Sequence, residues 1–328
     1  MKPGITAKDV AKLAGVSQSS VSRVYFKGAT VSSKTREKVL AAAKELGYRP
    51  NEFARSLITS RTKIIGLVMK GIQNPFYPQV LKQFTTSFKK LGYSILFVYT
   101  NNDEIQKEDI EILLNYNVAG VVITDATLSL NATEDFINNE IPLVLFNRKI
   151  IDDQIYSVCC NNFEASKQIA NFLLSCGCEN LVYISGNENT STSKEREEGF
   201  IAVLQKENIT YQKYISDFTY KGGYQTAKEI LKEKILPDGF FVANDIMALG
   251  VLDALREENI TVPEMTKVIG FDNIEMASWP AYSLTTWEQP IKEMVDQTVN
   301  YLISQITGSS SVVEKVEFDG KLIVRKST

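Results

Sequence analysis

From Ile64 onward the chain repeats one pattern that few folds can accommodate. Short apolar, β-branched runs alternate with longer amphipathic stretches. The runs are IIGLVM, SILFVY, GVVIT, PLVLFN, NLVYIS, GFFVAN and KVIGFD. Between most of them the spacing predicts helices, over 78–91, 163–176, 195–208, 223–234 and 245–259. Near-continuous apolar strands alternating with helices imply parallel sheets covered on both faces. So many strands crowd one small sheet. A division near 160–162 gives two similar α/β halves, and 328 residues suffice for domains of ~150 residues each. No repeat of short period is visible, and no low-complexity tract beyond 308–311.

The first 63 residues follow a different rule and read as three short helices. Thr6 can cap a helix containing Val10, Ala11, Leu13 and Ala14, with Asp9 favouring its N-terminus. Gly15 breaks it. Ser17 can cap the next helix, in VSQSSVSRV, whose apolar face is Val21, Val24 and Tyr25. Gly28 and Ala29 fall in the following loop. Ser32 or Ser33 starts a third helix with Val39, Leu40, Ala43 and Leu46 on one side. Gly47 fits its C′ position and Pro50 prevents continuation. The next segment, NEFARSLITSR, is helix-compatible but so short that it is marginal alone in water.

Charge separates the same two parts. Residues 1–63 hold 13 basic and 4 acidic side chains, and the remainder holds 23 basic and 35 acidic. A basic arm on an acidic body points the arm at a polyanion. The chain has no histidine. That removes the commonest general base, the Ser-His-Asp and Cys-His arrangements and every His-containing zinc site. The four cysteines, Cys159, Cys160, Cys176 and Cys178, lack a usual zinc spacing and read as small apolar residues at strand and helix ends. No metal and no cofactor is expected. No run of 18 apolar residues is present, so no membrane span is expected. The start lacks the apolar region of a signal peptide, which makes the cytoplasm the default location.

Two helices joined by a tight Ala-Gly-Val turn form a helix-turn-helix. In that motif the second helix lies in the major groove, which is only ~12 Å wide. Serines let its backbone approach closely. Gln18 has the amide geometry for adenine and Arg23 the fork for guanine. The valines and Tyr25 hold the helix to its neighbours. The blander alternative is a serine-rich surface helix of an unrelated three-helix bundle.

TAKDVAKLAGVSQSSVSRV, followed by VSSKTREKVLAAAKELGYRPNEFARSL, closely resembles the DNA-binding headpiece and hinge of the LacI/GalR family of bacterial transcription regulators. NPFY, GVVIT, VLFNR, REEGF, VANDIMALG, VIGFDN and LTTWEQP resemble that family's effector-binding core. The resemblance covers essentially the whole chain. It implies an all-α headpiece at 1–50, a hinge helix and linker at 51–62, and an α/β core at 63–328. The core is similar to a type I periplasmic-binding protein with two lobes of parallel sheets. Its N-subdomain would span 63–161 plus 290–318, its C-subdomain 162–289 plus 319–328. The resemblance implies Gln18, Ser19 and Arg23 as base readers. It implies Thr6, Ser17, Ser22, Ser32, Thr35 and Asn51 as phosphate contacts, although Ser17 and Ser32 serve equally as helix caps. Phe26 stands where the family usually has Asn. Leu57 stands where family members insert a leucine into the minor groove, a wedge that unstacks a base step and bends the duplex. Alternatively Phe53, Leu57 and Ile58 pack on the body or on each other.

Ligands in open α/β sheets sit beyond the carboxyl ends of strands. The candidates there are Phe76, Tyr77, Asp125, Asn147, Arg148, Thr192, Arg196, Phe218, Asn244 and Asp272. Amides, carboxylates and arginines can bond several hydroxyls at once, while aromatic faces cover a sugar's CH face. Asn147, Arg148, Arg196, Asn244 and Asp272 are the positions that family members use. Asp245 either caps the helix IMALGVL or touches ligand. Trp279 and Trp287 either line the cleft or pack beneath it. Cys160 stands where many relatives have Asp, which argues against carrying over any one relative's ligand.

The expected function is a sequence-specific DNA-binding regulator, a repressor, controlled by a sugar or sugar phosphate. A homodimer reading a palindromic operator is expected, since one headpiece reads only a few base pairs. The alternatives are a solute-binding protein of the same core fold and an α/β enzyme. The enzyme lacks a P-loop, a G-x-G-x-x-G fingerprint and a G-x-S-x-G elbow.

Overall fold

The computed structural model describes residues 5–25, 30–48, 62–70, 72–100, 104–126, 130–149, 155–233, 236–309 and 313–328. The chain divides into two compact units, Met1–Thr62 and Lys63–Thr328.

The first unit is all-α over its described residues: α1 (Ala7–Ala14), α2 (Gln18–Val24) and α3 (Ser33–Leu46). Thr6 donates from its N–H and its hydroxyl to Asp9 Oδ2, at 2.8 and 2.7 Å. These bonds hold the Asp9 carboxyl below its ordinary range. Gly15 ends α1 at φ 63°, a left-handed conformation glycine adopts without penalty. Ser17 and Ser32 cap α2 and α3, accepting from the N–H groups of Ser20 and Thr35 at 3.2 and 3.3 Å. Val10, Val21, Val24 and Val39 meet in a small core with Ala11, Ala14, Ala42 and Ala43. Arg36 Nη1 donates to the Val24 carbonyl at 2.9 Å, tying α3 to the end of α2. One expectation fails here. Leu40 is 46 % exposed, because the buried stripe of α3 runs through Val39, Ala42 and Ala43.

The second unit holds two six-stranded sheets built alike. The strands of the first lobe are β1 (Ile64–Met69), β2 (Ser94–Tyr99), β3 (Gly120–Thr124), β4 (Leu143–Phe146) and β5 (Tyr156–Cys160). Those of the second are β6 (Leu181–Ser185), β7 (Tyr211–Ile215), β8 (Gly239–Val242), β9 (Lys267–Asp272) and β10 (Thr285–Glu288). Strands β11 (Lys315–Phe318) and β12 (Lys321–Ile323) then add one edge to each, giving orders β11-β5-β4-β3-β1-β2 and β12-β10-β9-β8-β6-β7. All pairings are parallel except β10 with β12. The chain passes between lobes after β5, after β10 and after β11. In each lobe the strand order reverses beside the first strand, at β1/β3 and β6/β8, where such sheets open a crevice.

The helices are α4 (Phe76–Lys90), α5 (Lys107–Asn115), α6 (Leu130–Asn138), α7 (Asn162–Ser175), α8 (Ser191–Leu204), α9 (Tyr220–Ile230), α10 (Asp245–Glu257) and α11 (Ile291–Ile306). Two begin three or four residues earlier than the apolar spacing predicts. Thr190 caps α8 through the Ser193 N–H, and Thr219 caps α9 through the Gly222 N–H. Gly223 belongs to α9 because that helix lies against α10: a Cβ there would sit 2.3 Å from the Met247 carbonyl oxygen. Cys159, Cys160 and Cys178 are buried and none of the four cysteines is in a disulfide. Burial pushes the Cys160 thiol up to about 12, so it behaves as a small apolar side chain. Among the described residues no helix is long and apolar enough to cross a membrane.

Candidate functional site

Along α2 the apolar and polar positions separate cleanly. Val21 and Val24 face the core, whereas Ser17, Gln18, Ser19, Ser22 and Arg23 are exposed. Ser17 Oγ lies 2.8 Å from Ser19 Oγ and 2.9 Å from Ser20 Oγ, so these small hydroxyls serve each other and keep the face low. The side chains of Gln18 and Arg23 make no hydrogen bond or ion pair with another described residue, leaving amide and guanidinium available. Thr6 and Ser32 are exposed at helix starts, and Ser32 donates to Thr35 Oγ1 at 2.9 Å. The candidates Asn51 and Leu57 lie outside the described residues, as do Phe26, Gly28, Ala29, Pro50, Phe53 and Ile58.

In the second unit a cavity of about 660 Å³ is lined by all ten candidates at strand ends. Phe76 and Tyr77 open α4 after β1, Asp125 follows β3, and Asn147 and Arg148 follow β4. From the second lobe come Thr192 and Arg196 on α8, Phe218 after β7, Asn244 after β8 and Asp272 at the end of β9. Asp125, Asn147, Phe218 and Asp272 have φ of 59°, 58°, 62° and 122°. Side chains other than glycine seldom adopt these angles, least of all a bulky phenylalanine. Such strain clusters where a backbone is bent to aim side chains at one point. Gly186 makes room for Phe218, since a Cβ at 186 would lie 2.1 Å from the ring.

The cavity's polar groups form a connected set. Arg148 pairs with Asp125 through Nη2, and its Nη1 donates to the Asn147 carbonyl at 2.9 Å and to Thr192 Oγ1 at 3.2 Å. Arg196 Nε donates to Asn162 Oδ1 at 2.9 Å and its Nη1 to the Ala243 carbonyl. Its guanidinium lies 3.5 Å over the Phe271 ring. Asp272 Oδ1 accepts from Gln289 Nε2 at 2.7 Å, and Oδ2 from Asn74 Nδ2 at 3.4 Å. Lys149 extends the set: its N–H donates to Ser191 Oγ at 3.0 Å and its Nζ to Glu195 at 2.6 Å.

Electrostatics follow from burial. Desolvation raises the Asp272 carboxyl to about 6, against the downward pull of Arg196 and its two amide donors. Tyr77 is pushed well up by burial and then by the Asp125 charge. Burial lowers Arg196 despite Asp272. For Arg148 burial acts downward most strongly, but Tyr77 and Asp125 together hold it above its ordinary value.

Asp245, open in the sequence as a cap or a ligand contact, is neither. Asn244, not Asp245, caps α10, accepting from the Met247 N–H at 3.1 Å. Asp245 is buried outside the lining and accepts instead from the Ile274 N–H and the Thr286 hydroxyl, at 2.9 and 2.5 Å. Neither tryptophan lines the cavity: Trp287 is buried against Phe271 and Trp279 is 47 % exposed elsewhere. Asn74 and Gln289, the two donors to Asp272, were missed although both lie in the quoted motifs NPFY and LTTWEQP.

Residues 6–51 match the family described as bacterial regulatory proteins, lacI family, and residues 170–328 match a periplasmic binding protein-like domain. The chain is 32 % identical over 338 residues to the HTH-type transcriptional repressor PurR of Haemophilus influenzae, covering 98 % of each. It is 31 % identical over 325 residues to the ribose operon repressor of Halalkalibacterium halodurans, covering 98 % of this chain and 97 % of that one. The structure of the Lac repressor dimer bound to operator and the anti-inducer ONPF superposes with a TM-score of 0.88, at 26 % identity and 99 % coverage of each chain. With its three-helix headpiece and its two-lobed core, the chain belongs to the LacI family of bacterial regulatory proteins, DNA-binding transcriptional regulators rather than enzymes.

Proposed function

We propose that this regulator is a repressor whose hold on a palindromic operator is set by a sugar or sugar derivative bound in the core cavity. The observation that carries the reading is the convergence of ten strand-end side chains on one cavity. Base readout falls to Gln18, Ser19 and Arg23 on the exposed face of α2. Thr6, Ser17, Ser22, Ser32, Thr35 and Asn51 hold phosphates, and Leu57 wedges the minor groove. Similarity to repressors, and to a Lac repressor dimer on its operator, supports a homodimer acting on cytoplasmic DNA.

The cavity takes residues from both lobes, so a ligand favours the lobe arrangement that best surrounds it. Its effect on DNA is bounded by its differential affinity for the two arrangements, typically ~1–3 kcal/mol. Gel-shift titration on DNA selected from a random duplex pool tests the reading. Salt-sensitive, sequence-selective retention is expected; uniform retention of every duplex contradicts it.

A further inference from the structure

We infer that the cavity is built for an uncharged polyhydroxy ligand and discriminates against its phosphate ester. This rests on the reading of the cavity as the effector site and narrows the ligand class. Among the described lining residues, four carboxylates (Asp125, Glu188, Asp217 and Asp272) stand against three cations (Lys70, Arg148 and Arg196), with Glu188 paired to Lys213 outside the lining. A phosphate dianion needs cations free to turn towards it, and each of these three is already engaged. Arg148 is neutralised by Asp125 and its remaining bonds go to Asn147 and Thr192. Arg196 is occupied by Asn162, Ala243 and the Phe271 ring, and Lys70 is also engaged.

One feature argues the other way. The N-terminus of α8 reaches the cavity at Thr190 and Thr192, and helix N-termini favour anions. Here the Thr190 hydroxyl already receives the Ser193 N–H, and the Thr192 hydroxyl receives Arg148. The remaining groups ask for donors. Asn147 Oδ1 is a buried acceptor with no partner, and Asn147 is only 3 % exposed. Leaving a buried acceptor unpaired is costly; a ligand hydroxyl relieves that cost and a phosphate oxyanion does not. Asp272 stands at the same wall with acceptor capacity beyond Gln289 and a long 3.4 Å contact from Asn74. Phe76, Tyr77, Tyr99 and Phe218 supply ring faces for the CH side of a sugar.

The test is thermal unfolding of the full chain with ribose, glucose, galactose and fructose, the phosphate ester of each, and adenine and hypoxanthine. At least one neutral sugar is expected to raise the melting temperature, and its ester to bind at least about tenfold more weakly. An ester that binds as well as its parent overturns the inference and leaves the effector cavity standing. Response to the nucleobases alone does the same. No response to any compound removes both. Asp125→Asn releases Arg148 and is expected to raise ester affinity about tenfold over the unmodified protein; unchanged ester affinity contradicts the neutralisation argument.

Discussion

The guanidinium of Arg196 lies 3.5 Å over the ring of Phe271, while its edge donates to Asn162 and to the Ala243 carbonyl. One side chain from α8 thereby braces β8, β9 and the start of α7 at the cavity wall. Arg196→Ala leaves a buried amide oxygen and a buried carbonyl unpaired, a loss of at least ~2 kcal/mol. We expect lower stability in urea unfolding and no effector response. Arg196→Lys keeps the charge but not the planar fork, and should recover stability only in part. A full effector response from Arg196→Ala would remove this residue from the site.

Asp245 and Asp272 are two buried carboxyls raised to about 7 and about 6 from an ordinary 3.8 by burial, to which the Asp272 charge adds at Asp245 and the Asp125 charge at Asp272. Burial is the larger cause in both. A raised folded-state value means that the native protein binds more protons than the unfolded chain between pH 4 and 7. The stabilisation is full below about pH 3.8 and is lost as pH rises through 6 to 7. Asp245→Asn should flatten the stability-against-pH curve between pH 5 and 7, by up to ~1.4 kcal/mol per pH unit. Identical slopes in both proteins would show that Asp245 ionises normally.

Gly186 and Phe218 share one space. A methyl group at 186 would lie 2.1 Å from the Phe218 ring, so Gly186→Ala displaces a ring already held at φ 62°. We expect effector affinity to fall at least about tenfold, and the double change with Phe218→Ala to be strongly non-additive. Additive losses in a calorimetric cycle would mean that the two do not meet.

Arg23 ends the exposed face of α2 without a described partner. Arg23→Ala should cost ~1–3 kcal/mol on the operator and relax preference at one base pair. Selection of the same operator by the variant would make Arg23 a phosphate contact or a bystander.

Much of this was legible because the signals are local. A serine or threonine before an apolar repeat locates the caps at Thr6, Ser17 and Ser32, and the ends of strands and the stretches that follow them hold all ten cavity candidates. Strands β7, β10, β11 and β12 fall outside the apolar runs: β7, β11 and β12 are half-exposed sheet edges with polar sequences such as YQKYI and KVEF, and β10 is the short, threonine-rich TTWE. Strand β5 escaped because YSVCC is buried yet short of β-branched residues. The helix starts at Ser191 and Tyr220 precede their apolar spacing. Nor does local pattern record pairings over distance. Arg148 with Asp125, Gln289 with Asp272 and Thr286 with Asp245 are products of the fold. Local pattern therefore offers Asp245 as a cap or a ligand contact, whereas Asn244 provides the cap and Asp245 bonds Ile274 and Thr286.

The central claim is that ligand in the cavity changes the hold on DNA. Fluorescence anisotropy with a labelled, selected operator measures it directly, titrated with and without a saturating neutral sugar identified by thermal unfolding. The account predicts an operator Kd that moves ~5–150-fold when the sugar is bound, and does not move in Arg196→Ala. An operator Kd that stays constant while the sugar demonstrably occupies the protein would contradict it.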